Sequence, residues 1–154
     1  MDNQKIDRKI AVIFATDVVG FSTAMETDED QTLKNFRACK NILDDLFKEH
    51  SGRVFNTAGD SVLAEFSSAV SAVICASEFQ KLIQERNAST SLPENGKMEF
   101  RVGLNMGDVI VEGSNLYGDG VNVAARLEAL AQPNGVCLSK SIHDFVNKKT
   151  EFLD

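Results

Sequence analysis

The stretch "RVFNTAGDSVLAEF", residues 53–66, decides the fold. Two short runs rich in β-branched and aromatic residues flank Gly59–Asp60, a pair that favours a tight reversal, so the stretch reads as a β-hairpin. On its N-terminal side Leu33, Phe36, Leu43, Leu46 and Phe47 keep helical spacing, after start signals at Thr27, Asp28 and Asp30, until "HSG" stops the helix at Gly52. On its C-terminal side Val70, Val73, Ile74, Leu82 and Ile83 repeat that spacing over 68–86. A hairpin embedded between helices points to an α+β sandwich with helices packed on a largely antiparallel sheet, not to a doubly wound fold.

Working outward, "KIAVIFATDVV" (9–19) is continuously apolar and β-branched, as expected of a strand buried on both faces. Residues 87–97, "NASTSLPENGK", read as a loop, and "MEFRVGLNMGDVIVEG" (98–113) as two strands meeting at Gly107–Asp108. "GDGVNVAARLEAL" (118–130) predicts a helix, "GVCLS" (135–139) a short strand and 140–148 a last helix. The expected order is β α β β α β β α β α, in a single domain spanning 1–154.

Totals narrow the function. The chain of 154 residues is 43% hydrophobic and 25% charged, ordinary for a globular domain, and long enough to bury a sizeable core. Its net charge of −7 argues against nucleic acid or an anionic membrane as a general partner. Cys39, Cys75 and Cys137 are odd in number, widely spaced and set among apolar neighbours, so buried thiols are expected and no disulfide framework is read. No signal peptide or spanning segment is legible, which makes the cytoplasm the default compartment. His50 and His143 lack metal-ligand spacing and read as surface residues.

Two carboxylates stand out. Asp17 ends the first strand, where an unpartnered charge would be costly, and Asp60 sits at the hairpin tip. With those two strands side by side, the acids would share a hard cation such as Mg²⁺. In the 118–130 helix, Asn122 and Arg126 stand four apart and so share one face. An amide beside a guanidinium suits sugar and phosphate oxygens. Arg101, in "FRVGL", is a further possible phosphate contact.

Taken together, "AVIFATDVVGFS", "FNTAGDSVLAEF", "FRVGLNMGDVIVEG" and "LYGDGVNVAARLEAL" resemble, in order, the successive motifs of class III adenylyl/guanylyl cyclase catalytic domains over roughly residues 9–148. The resemblance implies the ferredoxin-like cyclase sandwich and a site with two Mg²⁺ or Mn²⁺ ions held by Asp17, Asp60 and the Val18 carbonyl. It implies Asn122 orienting a ribose, Arg126 stabilising the transition state and Arg101 on the triphosphate of ATP or GTP. It implies a head-to-tail homodimer whose sites draw metals from one subunit and Asn/Arg from the other. The reaction implied is attack of the ribose 3′-oxygen on the α-phosphorus with loss of pyrophosphate.

Two departures accompany it. The base-reading positions carry Asn56 and Asn115 where adenylyl cyclases have Lys and Asp, so adenine is the expected base by family frequency only. The family's C-terminal hairpin, with its phosphate-binding lysine, does not follow Asp154, which suggests a piece of a longer protein and puts the turnover of this segment in question. A catalytically silent, cyclase-like dimerisation or nucleotide-binding module is the alternative. A diguanylate cyclase or polymerase-palm relative would carry a Gly-Gly-acidic hairpin, and the sequence has none.

Overall fold

A computed structural model describes residues 6–150. The elements are β1 (Asp7–Val18), α1 (Phe21–Thr27), α2 (Glu29–His50), β2 (Gly52–Ala58), β3 (Ser61–Phe66), α3 (Ala69–Asn87), β4 (Phe100–Glu112), β5 (Asn115–Tyr117), α4 (Asp119–Leu130), β6 (Val136–Leu138) and α5 (Lys140–Thr150). The sheet runs β2-β3-β1-β4-β5, all antiparallel, and β6 adds a short parallel pairing along β4. This is the α+β sandwich expected from the sequence.

Strand alternation divides the core between the two faces of the sheet. Val12, Phe14 and Val18 of β1 point to one face, where Leu43 and Phe47 of α2, Cys75 and Phe79 of α3 and Ile142 of α5 cover them. Phe47 packs edge-on to Phe14 and Phe66, with ring centroids 5.2 and 5.8 Å apart, fixing α2 across β1 and β3. Ala11, Ile13 and Ala15 point to the other face, under Val121 and Ala124 of α4. Asp17 continues this second series.

The hairpin at 53–66 forms as read, with Gly59 at φ +60° in its turn. The two strands expected to meet at Gly107–Asp108 do not. β4 runs unbroken through both residues, because the long edge of β1 pairs with it from Asp7↔Val111 to Val18↔Phe100. Gly107 serves a close approach instead of a turn: a Cβ there would lie 3.1 Å from Asn105 Nδ2 and 3.5 Å from Gly120 Cα. The reversal comes later, at Gly113–Ser114, where Gly113 takes φ +62° and leads into β5. The short helix α1 was not legible in the pattern; its Phe21 ring packs on Phe36 of α2 at 5.7 Å.

Candidate active site

β1 and β3 are neighbours, and Asp60 at the hairpin tip reaches the end of β1 at Val18, the residue after Asp17. The backbone N–H of Val18 donates to Asp60 Oδ2 at 2.8 Å, which ties the hairpin tip to the end of β1 and leaves the second carboxylate oxygen of Asp60 for another partner. Asp17, on the α4 side of the sheet, accepts from Arg101 Nε and Nη2 at 3.2–3.3 Å. Arg101 lies directly across from Asp17 in the β1–β4 register, so this contact is a cross-strand pair.

Glu128, not singled out in the sequence, joins the Asp17–Arg101 pair. Glu128 is buried against the sheet, its Oε2 3.6 Å from Arg101 Nε and without a hydrogen-bond partner among the described residues. Burial, then the charge of Asp17 and a hydrogen bond with it, and the more remote Asp60 push the Glu128 carboxyl up to about 8, against the opposing pull of Arg101. The signal was present: Val121, Ala124 and Glu128 follow one helical stripe, and the first two are core residues. An acid on an apolar stripe calls for a partner.

Glycines set how near α4 can come. A Cβ on Gly103 would lie 2.3 Å from Glu128 N and 2.4 Å from Ala124 O, and one on Gly120 would lie 2.7 Å from Asp108 O. The helix therefore rests backbone to backbone on β4. Asn105, itself buried, donates from Nδ2 to Gly120 O at 2.9 Å and anchors the first turn. This seating delivers Glu128 to Asp17 and Arg101.

It also turns Asn122 and Arg126 outward. Both are exposed on the face of α4 opposite Val121, Ala124 and Glu128, and neither side chain has a hydrogen bond or ion pair among the described residues. Leu130, further along α4, is 74% exposed. Asn56 is exposed on β2, beside an irregularity in its pairing with β3. Asn115 donates to the Tyr117 hydroxyl at 3.0 Å and accepts from Leu116 N at 2.8 Å. Although β2 and β5 stand at opposite ends of the strand order, Arg53 Nη1 of β2 donates to the Ser114 carbonyl at 2.6 Å, so the sheet curls and these edges meet.

The donor set fits a hard divalent cation. Asp17 and Asp60 present carboxylate oxygens at the end of β1, Asp17 paired with Arg101 and Asp60 with the backbone N–H of Val18, while Glu128 lies behind them against the same guanidinium. Oxygen ligands of this kind suit Mg²⁺ or Mn²⁺, not a thiolate-preferring metal. A separate group, Glu49, His50 and Glu78, also comes together, with His50 Nε2 2.9 Å from Glu78 Oε1. His50 is largely covered, which corrects its reading as a surface residue; Glu78 arrives from another helix, so sequence spacing gave no sign of it.

An antiparallel sheet with acids at adjacent strand ends, and a polar helix face beside them, defines a nucleotide-cyclase-type domain. Residues 2–153 match the family model described as the adenylate and guanylate cyclase catalytic domain. The chain belongs to that family of enzymes. It is 48% identical to "Putative adenylate cyclase 3" of Rhizobium meliloti (strain 1021), an alignment covering all of this chain and 26% of that protein. An adenylate cyclase of Streptomyces coelicolor is 32% identical, over 88% of this chain and 33% of the relative. The chain thus spans between a quarter and a third of the length of these relatives. Among solved structures, an adenylate/guanylate cyclase/hydrolase from Silicibacter pomeroyi superposes with a TM-score of 0.85 at 34% identity, covering 94% of this chain and 84% of that one.

Proposed function

We propose that this chain converts a purine nucleoside triphosphate, ATP before GTP, to the 3′,5′-cyclic monophosphate and pyrophosphate, at sites composed by two copies of the chain related head to tail. One observation carries the reading. Asp17 lies beneath α4 on the sheet while Asn122 and Arg126 face solvent from the opposite side of that helix, which supports a second copy supplying the outward pair. The exposed Leu130 beside that face is consistent with cover by such a copy.

Asp17, Asp60 and the Val18 carbonyl would hold Mg²⁺ or Mn²⁺, which supplies acidification of the attacking hydroxyl and neutralisation of the triphosphate. The partner's Asn122 would hold the ribose so that its 3′-oxygen stands in line with the α-phosphorus. The new bond forms from the 3′-oxygen to phosphorus as the bond to pyrophosphate breaks, and Arg126 would stabilise the charge that grows on the α-phosphate oxygens. Arg101 would contact the triphosphate once released from Asp17. Asn56 and Asn115 would meet the purine edge as neutral amides, which donate and accept alike. Among the described residues no helix is long and apolar enough to cross a membrane, in keeping with a cytoplasmic site of action.

A second reading, a silent nucleotide-binding or dimerisation module, is favoured by Asn115, whose amide is already spent on Tyr117 and Leu116. Incubation with ATP or GTP and Mn²⁺, followed by assay of the cyclic product, separates the two. Asp17→Ala should abolish metal-dependent turnover while circular dichroism and melting show a folded chain. Unchanged cyclic product in that variant would end the metal assignment, and no product from either nucleotide with the parent chain would favour the silent module.

A further inference from the structure

We propose that Glu128 is a positioning residue that receives Arg101 when Asp17 takes up a divalent cation. The inference rests on the reading of Asp17 as a metal ligand. Arg101 and a cation would compete for one carboxylate: Nε and Nη2 of the guanidinium lie on the oxygens of Asp17, where a metal would coordinate. A divalent ion at that position would face a positive group at close range, in a half-buried setting where screening is weak. Arg101 must therefore be drawn off, and something must take it.

The geometry provides one acceptor. Glu128 Oε2 stands 3.6 Å from Arg101 Nε, is buried, and makes no hydrogen bond among the described residues, although the carboxyl group also meets Asp17. A shift of roughly half an ångström closes that gap to hydrogen-bonding distance. On the same side, Arg101 Nη1 already donates to the Ala129 carbonyl at 3.3 Å, so the α4 edge of the guanidinium is half anchored before any movement. Completing it with Glu128 frees Nη2 from Asp17 and leaves it available to an anion. A carboxyl group accepts through its carbonyl oxygen in either protonation state, so the transfer depends on position alone. Gly103 and the Asn105–Gly120 bond keep α4 close enough for this hand-over. Glu128 itself touches neither the nucleotide nor the reacting atoms in this scheme; it acts through Arg101.

The test is a double-mutant cycle read by Mn²⁺ binding to the nucleotide-free full chain, with free Mn²⁺ followed by its electron paramagnetic resonance signal. Glu128→Met keeps the length of the side chain but removes its acceptor oxygens, and Arg101→Gln removes the competing cation; thermal melting verifies that each variant is folded. Glu128→Met should weaken Mn²⁺ binding roughly tenfold in the parent chain, as loss of an outer-shell group does. In the Arg101→Gln background, where no guanidinium needs a receiver, the same change should alter it by no more than about twofold, within ordinary additivity. Equal weakening in both backgrounds would overturn the inference, since Glu128 would then act on the cation by charge alone. No weakening in either would overturn it too. Asp17→Asn, run beside them, isolates the premise: if it leaves Mn²⁺ binding intact, the metal assignment itself has failed, and the proposal goes with it.

Discussion

Gly103→Ala inserts one methyl group where the chain has no room. Built on the strand, its Cβ would lie 2.3 Å from Glu128 N, 2.4 Å from Ala124 O and 2.8 Å from Glu128 Cα. All three neighbours are backbone atoms of α4, so no side chain can rotate away, and the helix must retreat by roughly 1 Å to restore ordinary contact. In an unobstructed strand, alanine would be favoured over glycine by about 0.5–1 kcal/mol. Here overpacking opposes that gain, at a typical cost of about 1–3 kcal/mol, and the rigid backbone contacts place Gly103→Ala at the upper end. A net loss of about 2 kcal/mol corresponds, for a domain of this size, to a fall in Tm of roughly 4–8 °C. Activity should suffer more than stability. The same retreat lifts Glu128 from Arg101 and displaces Asn122 and Arg126, and a misplacement of about 1 Å in a positioning element can cost about a hundredfold in rate. Differential scanning calorimetry and a cyclic-nucleotide assay on the same preparation read both quantities. A variant with the parent Tm and parent turnover would refute the claim that α4 is seated by the missing side chain of Gly103.

Under the proposed transition-state role of Arg126, Arg126→Ala should lower kcat far more than it raises KM; equal loss in nucleotide affinity and turnover would count against that role. In metal-free buffer Glu128 binds its proton more tightly in the folded chain than in the unfolded one. Its contribution to stability is thus present at acid pH and lost as pH rises from about 4.5 towards 8. Glu128→Gln should therefore gain stability over the parent across that window, by at most about 1.4 kcal/mol per pH unit, and pH-independent parallel curves would show the carboxyl to be unshifted. Cys39 and Cys75 are buried, and burial raises both thiols, Cys75 to about 12 with Glu78 and Glu49 adding to the effect. A thiol reagent should modify Cys137 alone in the native chain and all three cysteines in denaturant; rapid native labelling of two or more would show α2 and α3 to be looser than described.

Local pattern made much of this protein legible. Apolar periodicity marked β1, α2, α3 and α4, and Gly59–Asp60 marked the hairpin, because spacing and turn chemistry act within a few residues along the chain. Asp17, Asp60, Asn122 and Arg126 stood out for the same reason, each being a polar group at a point where its neighbours are apolar or the chain reverses. The continuity of β4 through Gly107–Asp108 was not legible. A glycine followed by an aspartate looks the same whether it turns a chain or makes room for a helix, and only the length of β1 alongside it decides. The pairing of Arg101 with Asp17, the burial of Glu128 beside them and the gathering of Glu78 with His50 likewise depend on residues distant in sequence. The order of residues determined which segments are strands and helices and which side chains carry charge. The stacking of α4 on β4 decided which charges must share one buried space, since the energy of such contacts depends on distances through space that no spacing along the chain encodes.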